Sequence, residues 1–76
     1  MTIEILSPNK GVYKGEIKTV TLPGKEGQMQ ILDNHAPLFT LLAKGEIIIE
    51  KDKKISIFSG VVEVLDNKVT ILVKEL

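Results

Sequence analysis

Three features of the 76-residue sequence predict an all-β fold, a sandwich or barrel of eight or so short antiparallel strands. Apolar and polar residues alternate in short runs, the period of a half-buried strand. Turn-forming pairs separate these runs at close intervals. No segment sustains the 3.6-residue period of an amphipathic helix, and strands alone imply a sandwich or barrel. Residues 1–76 read as a single domain, and folding at this size buries only about 60% of the surface an unfolded chain exposes.

The elements follow in order. Thr2 to Ser7 puts Ile3 and Ile5 on one face and is stopped by Pro8-Asn9-Lys10-Gly11. Val12-Tyr13-Lys14 is a short extended piece ending at Gly15. From Glu16 to Leu22 the phase slips between Ile17 and Val20, so either both faces are covered or a bulge near Lys18-Thr19 re-aims the strand. Pro23-Gly24 predicts a type II turn and Glu26-Gly27 a second reversal. Gln28 to Leu32 alternates again, with Met29 and Ile31 on one face, and Asp33-Asn34 breaks it. The residue before a proline is held out of the helical region, so His35-Ala36-Pro37-Leu38 is extended. Leu38 to Ala43 is apolar except for Thr40, and Lys44-Gly45 turns the chain. Glu46 to Glu50 and Lys54 to Phe58 flank Asp52-Lys53 as a hairpin. Ser59-Gly60 opens a further strand, Val61 to Leu65, with Glu63 marking a wet face. Asp66-Asn67 closes a last hairpin onto Lys68 to Val73, where β-branched residues dominate. Ile47–Ile49 and Leu38–Leu42 are apolar on both faces, which fits either core at sandwich corners or a docking face.

Ten lysines balance ten acids and arginine is absent. Nucleic acid demands a basic footprint and, for single strands, aromatic platforms; Tyr13, Phe39 and Phe58 are the only aromatics. No apolar run approaches the ~20 residues that cross a bilayer. Catalysis has little to rest on: one histidine, no cysteine, and no glycine-rich phosphate loop leading into a helix. His35 has no neighbouring acid to orient it as a base. A metal held by Glu26, Asp33 and His35 would need a turn to bring them together, and solvated loop acids are the simpler expectation. Lys51-Asp52-Lys53-Lys54 reads as a solubility device on a hairpin tip. No catalytic residue, metal ligand or cofactor is therefore assigned.

One ordered set of motifs runs along nearly the whole chain. It comprises Leu22-Pro23-Gly24-Lys25-Glu26-Gly27, Ile31, His35-Ala36-Pro37-Leu38-Phe39-Thr40, Gly45 before alternating isoleucines, and Phe58-Ser59-Gly60. Val62-Glu63-Val64, Asn67 and Val69-Thr70-Ile71-Leu72 complete it. In this order the chain resembles the N-terminal β-domain of the epsilon subunit of F-type ATP synthases, called delta in mitochondria. The resemblance implies a flattened antiparallel β-sandwich of two sheets with about eight to ten short strands, and a non-catalytic rotor subunit that docks the gamma subunit onto the polar loops of the membrane c-ring and couples proton or sodium translocation to ATP synthesis. It further implies a peripheral position on the cytoplasmic face of a bacterial inner membrane, with no direct insertion. Carried over by position, Ser7, His35, Leu38 and Thr40 are expected to face gamma, and Glu26 and Gln28 the c-ring.

Departures from the family pattern are local: Gly60-Val61 for a frequent Gly-Gly, Asp33-Asn34 for a frequent Pro-Gly before His35, a short hairpin at Asp52-Lys53, and Gln28 for a frequent acid. Most members continue into a two-helix hairpin that binds nucleotide or inhibits hydrolysis. No such hairpin follows Val73 here, so a natural short form or a domain cut at its boundary is expected, coupling rotation without acting as a brake and without binding ATP. The alternative from another class is a free-standing small β-sandwich that binds a peptide or small ligand.

Overall fold

Alternating isoleucines and valines need a second layer to cover them, and the computed structural model, which describes residues 1–76, shows how the chain supplies it. It contains eight strands: β1 (Thr2–Ser7), β2 (Lys10–Glu16), β3 (Thr19–Gly24), β4 (Gly27–Leu32), β5 (Leu38–Leu42), β6 (Gly45–Ile49), β7 (Lys53–Leu65) and β8 (Lys68–Glu75). The hydrogen-bonded order is β2-β1-β8-β7-β5-β3-β4, with β6 between β3 and β7. One layer comprises β2, β1, β8, the second half of β7, and β5. The other comprises the first half of β7, β6, β3 and β4. Every pair is antiparallel except β1 with β8, which run parallel.

β7 is the strand that joins the layers. Ser59-Gly60 does not open a new strand there, as the sequence suggests; it lies inside thirteen continuous strand residues. Gly60 is needed for a close approach, since a Cβ at this position would sit 2.7 Å from the Leu72 carbonyl oxygen of β8. The register between β7 and β8 shifts between Ile57 and Ser59, so Phe58 is the extra residue of a bulge that bends the strand from one layer into the other.

Three other expectations are corrected. Pro23-Gly24 is not a turn but the end of β3, where Pro23 pairs with Gln28 and Gly24 with Gly27, leaving Lys25-Glu26 as the tip. Gly27 takes a φ of 135°, which only glycine adopts freely. The phase slip after Glu16 is neither a bulge nor a doubly covered strand. β2 ends at Glu16, Ile17-Lys18 rounds a corner, and β3 starts at Thr19. The short piece expected at Val12-Tyr13-Lys14 is part of the longer β2, and its turn shrinks to Pro8-Asn9. Asp66-Asn67 forms the expected two-residue hairpin loop, with φ of 51° and 60°, the conformation whose twist matches flanking strands.

The interior is a single cluster of seventeen buried residues, all apolar, with no buried polar or charged side chain. Ile3, Ile5, Val62, Val64, Val69, Ile71 and Val73 face inward from the first layer. Val20, Leu22, Ile31, Ile47, Ile49, Ile55 and Ile57 meet them from the second. Ile47 and Ile49 are thus core, while Ile48 between them is half-buried on the outer face. The sandwich measures 29 × 26 × 22 Å.

Candidate functional site

Residues directly opposite one another on paired strands project to the same face. On the first layer the registers Leu6↔Leu72, Leu72↔Val61 and Val61↔Leu41 therefore place four apolar side chains in one row across β1, β8, β7 and β5. Their chain neighbours Ile5, Ile71, Val62 and Leu42 are buried, so the row lies on the outer face. Leu72 is 51% exposed, Leu41 47%, and the adjacent Phe39 69%. The outer face of the second layer differs in kind. Gln30↔Thr21↔Ile48↔Lys54 is its corresponding row, polar except for a half-buried isoleucine. An apolar row exposed on one layer and absent from the other gives the molecule one face suited to burial against a partner.

A groove of about 510 Å³ follows that row, lined by Leu6, Leu41, Val61 and Leu72 and running from Pro8 at one side to Lys25 at the other. Lys74 also lines the groove, two residues beyond Leu72 along β8. Its Nζ stands 5.5 Å from the Phe58 ring centroid, which rests the ammonium beside the bulge. The flank toward the other end of the strands carries Glu4, Thr70, Glu63 and Phe39 in register. There Glu4 pairs with Lys68 at 4.0 Å.

The residues expected to meet gamma are spread over this layer. Ser7 lines the groove at the end of β1, where its hydroxyl donates to the Lys10 carbonyl at 3.3 Å. His35 is exposed in the loop before β5, at the opposite end of the strands, with its backbone N–H on the Leu32 carbonyl at 3.1 Å and Nδ1 2.7 Å from the Ala36 carbonyl. β1 alone separates those ends by roughly 17 Å at about 3.3 Å per residue. Leu38 and Thr40 are opposite the buried Val64 and Val62, so both turn inward at the margin of the layer, beneath Phe39 and Leu41. The structure thus brings Ser7 into the groove and leaves His35, Leu38 and Thr40 outside it. Glu26 and Gln28 do come together, exposed on the β3–β4 hairpin.

Sequence reasoning offered Leu38–Leu42, with Phe39 and Leu41, as either core or a docking face, and did not single out Leu6, Val61 and Leu72. The available signal was a Leu38–Leu42 run apolar on both faces and a large leucine at the wet position of β8. Asp33, considered beside Glu26 and His35 for a metal, is engaged elsewhere. It accepts a hydrogen bond from the Met1 ammonium, which also donates to the Ile17 carbonyl at 2.9 Å and lies 3.4 Å from Glu16. Glu26 sits on a hairpin at the far end of β4, so the three do not converge. The hydrogen bond to Asp33 raises the Met1 amine above its ordinary value, and the Thr2 hydroxyl at 2.7 Å lowers the Glu16 carboxyl below its own. Lys18 N–H donates to Glu50 Oε1 at 2.6 Å and Asn34 N–H to Asn67 Oδ1 at 2.8 Å, so the loops at this end are stapled together.

Comparison with known proteins gives these features a context. The family model of the ATP synthase delta/epsilon chain β-sandwich domain matches residues 1–76. The chain is 47% identical over 78 residues to the ATP synthase epsilon chain of Sulfurimonas denitrificans, covering 97% of itself and 60% of that protein. It is 43% identical over 75 residues to that of Aquifex aeolicus, covering 96% of itself and 57% of the relative. It therefore spans about three fifths of the length of the curated relatives it matches. Among solved structures, a chain of the Euglena gracilis mitochondrial ATP synthase (OSCP, F1 and c-ring) superposes with a TM-score of 0.84 at 26% identity, covering 96% of this chain and 49% of that one. A chain of the Tetrahymena thermophila mitochondrial ATP synthase central stalk and c-ring shares the fold, with a TM-score of 0.83 at 19% identity, covering 97% and 63%.

Proposed function

The chain belongs to the family of the ATP synthase delta/epsilon chain β-sandwich domain, and from that premise we propose that it is a non-catalytic subunit of the rotor stalk of an F-type ATP synthase. It docks the gamma subunit with the outer face of its first layer and meets the polar loops of the c-ring with the β3–β4 hairpin. By joining the two it lets ring rotation, driven by protons or sodium ions, reach the catalytic head. Its place is peripheral, on the cytoplasmic side of a bacterial inner membrane.

The observation that carries this reading is the row Leu6–Leu72–Val61–Leu41, with Leu72 and Leu41 exposed beside the exposed Phe39, a continuous apolar strip that the corresponding row of the second layer lacks. Interfaces have an apolar core inside a polar rim. Here Ser7 stands at one margin of the apolar region and His35 lies beyond the other, so both serve as rim contacts. Leu38 and Thr40 support β5 from beneath and act through Phe39 and Leu41. Glu26 and Gln28 offer the ring loops one charged and one amide side chain on a stiff two-residue hairpin.

The test is equilibrium binding of the chain to purified gamma subunit and, separately, to detergent-solubilised c-ring. Leu41→Asp/Leu72→Asp should abolish gamma binding and leave ring binding intact, and Glu26→Lys/Gln28→Lys should do the reverse. Gamma binding unaltered by the two aspartates would refute the docking face.

A further inference from the structure

The chain has no cysteine and two methionines, so a peroxide meets two oxidisable sulfurs. They stand in different surroundings. Met1 is 5% exposed and belongs to the buried core. Met29 is half-buried on β4, the last strand of the hydrogen-bonded order, whose outer edge pairs with no other strand. Access favours Met29.

The seat of Met29 gives its oxidation a consequence. It lies opposite Leu22, which is fully buried, so its side chain turns to the inner face. At the next inward-facing pair of the same hairpin stand Gly24 and Gly27, neither of which has a side chain to cover that face. The Met29 thioether does so instead. A Cβ on Gly24 would stand 2.9 Å from Met29 Sδ, 3.5 Å from its Cγ and 2.5 Å from the Gly27 carbonyl oxygen, so sulfur and carbonyl crowd the same place. As a thioether the side chain packs there as an apolar group, against the core. A sulfoxide brings an oxygen that needs a hydrogen-bond donor, and its burial without one is costly. The groups at hand are an acceptor and apolar side chains. The oxidised side chain therefore has to swing outward, which uncovers the inner face of the hairpin.

We infer that Met29 is a peroxide-sensitive modification site, and that its sulfoxidation loosens the β3–β4 hairpin. In the step itself the thioether sulfur donates an electron pair to one oxygen of hydrogen peroxide and the O–O bond breaks. The other oxygen leaves as water, the sulfur being oxidised and the peroxide reduced. Methionine sulfoxide reductase reverses the change. Resting on the reading that Glu26 and Gln28 of this hairpin meet the ring loops, oxidation weakens ring binding and spares gamma binding, because the apolar row lies on β1, β8, β7 and β5.

The full chain is treated with hydrogen peroxide and mapped by mass spectrometry, and hydrogen exchange of the Lys25 amide, bonded to the Leu41 carbonyl at 3.0 Å, reports the state of the hairpin. Met29 should gain oxygen at least tenfold faster than Met1. The Lys25 amide should then exchange at least tenfold faster, and the reductase should restore its protection. Met29→Leu, which keeps an apolar side chain of similar size, should leave that amide protected through the same peroxide treatment. Equal oxidation of the two methionines, or a Met29 sulfoxide with Lys25 exchange unaltered, overturns the inference. Affinity for detergent-solubilised c-ring should fall at least fivefold in the oxidised chain. The failures are separable. If Lys25 exchange accelerates while ring affinity holds, the oxidation site stands and the ring contact of the hairpin is lost. If Glu26→Lys/Gln28→Lys abolishes ring binding while oxidation leaves Lys25 protected, the ring contact stands and the role of Met29 falls.

Discussion

Ile71 and Leu72 are consecutive residues of β8 with opposite fates, one fully buried between the layers and the other 51% exposed on the apolar outer face proposed to meet gamma. Shortening Ile71 to alanine removes core methyl groups that no solvent can replace, and such changes cost about 2–5 kcal/mol. Against a total stability of roughly 4–11 kcal/mol for a chain of this size, that is a large share. Complete burial of a leucine side chain is worth about 1.5–3 kcal/mol. Half of it is already realised in the free subunit, so Leu72→Ala should lower stability by only about 1 kcal/mol. The remaining half, roughly 1 kcal/mol, is available on docking and corresponds to about a fivefold loss of affinity for gamma. Leu41→Ala on the same row should act similarly, and the double variant should lose roughly thirtyfold if the two contributions add. Urea titration followed by far-ultraviolet circular dichroism reads the stability arm, with the change sought in the midpoint at constant slope. Surface-immobilised gamma reads the binding arm. The reasoning is refuted if Leu72→Ala is as destabilising as Ile71→Ala and leaves gamma binding unchanged, because the outer face would then be structural.

Three further outcomes are expected. Gly60→Ala places a methyl group 2.7 Å from the Leu72 carbonyl, so β7 and β8 have to part at the bend; the urea midpoint should fall by the equivalent of about 1–3 kcal/mol, typical of overpacking. Asn67→Val puts a β-branched residue at a φ of 60° and deletes the acceptor of the Asn34 N–H, so the melting temperature should drop, with about 1–2 kcal/mol from the backbone conformation alone. The Met1 amine, raised chiefly by its bond to Asp33, contributes stability that is fully present below its ordinary value of 8.0 and is lost as pH rises through the higher folded value. Glu16, lowered chiefly by the Thr2 hydroxyl, contributes above its ordinary 4.5 and is lost as pH falls through the lower folded value. Melting temperature should therefore decline on the alkaline side above about pH 8, and Asp33→Asn should flatten that limb; an alkaline limb of unchanged steepness in Asp33→Asn would contradict the assignment.

Local pattern was enough to locate most strands, because alternation and turn chemistry are properties of adjacent residues. Thr2 to Ser7 and the Asp66-Asn67 hairpin needed nothing more. The Pro23-Gly24 turn was misplaced by two residues because the hairpin closes on the Gly24–Gly27 pair, and Gly27, not Gly24, takes the positive φ. β7 looked like two strands because Ser59-Gly60 has turn composition, whereas its glycine is required by the approach of β8, a contact between distant parts of the chain. The apolar outer row was only partly visible for a related reason. Within Leu38-Phe39-Thr40-Leu41-Leu42 the one polar residue suggests that Thr40 faces out, yet pairing with Val62 turns Thr40 in and exposes Phe39 and Leu41. Parity in a run that is apolar on both faces is decided by its partner strand. The row itself joins β1, β5, β7 and β8, so only topology could assemble it.

Methyl-resolved NMR of the isotope-labelled chain, titrated with unlabelled gamma subunit, is the most direct test of the docking face. The methyl resonances of Leu6, Leu41, Val61 and Leu72 should shift or broaden together at substoichiometric gamma, while Ile48, on the outer face of the other layer, stays in place. Perturbation centred on Ile48 with the four-residue row unmoved would put the partner on the opposite side of the sandwich and contradict the docking face.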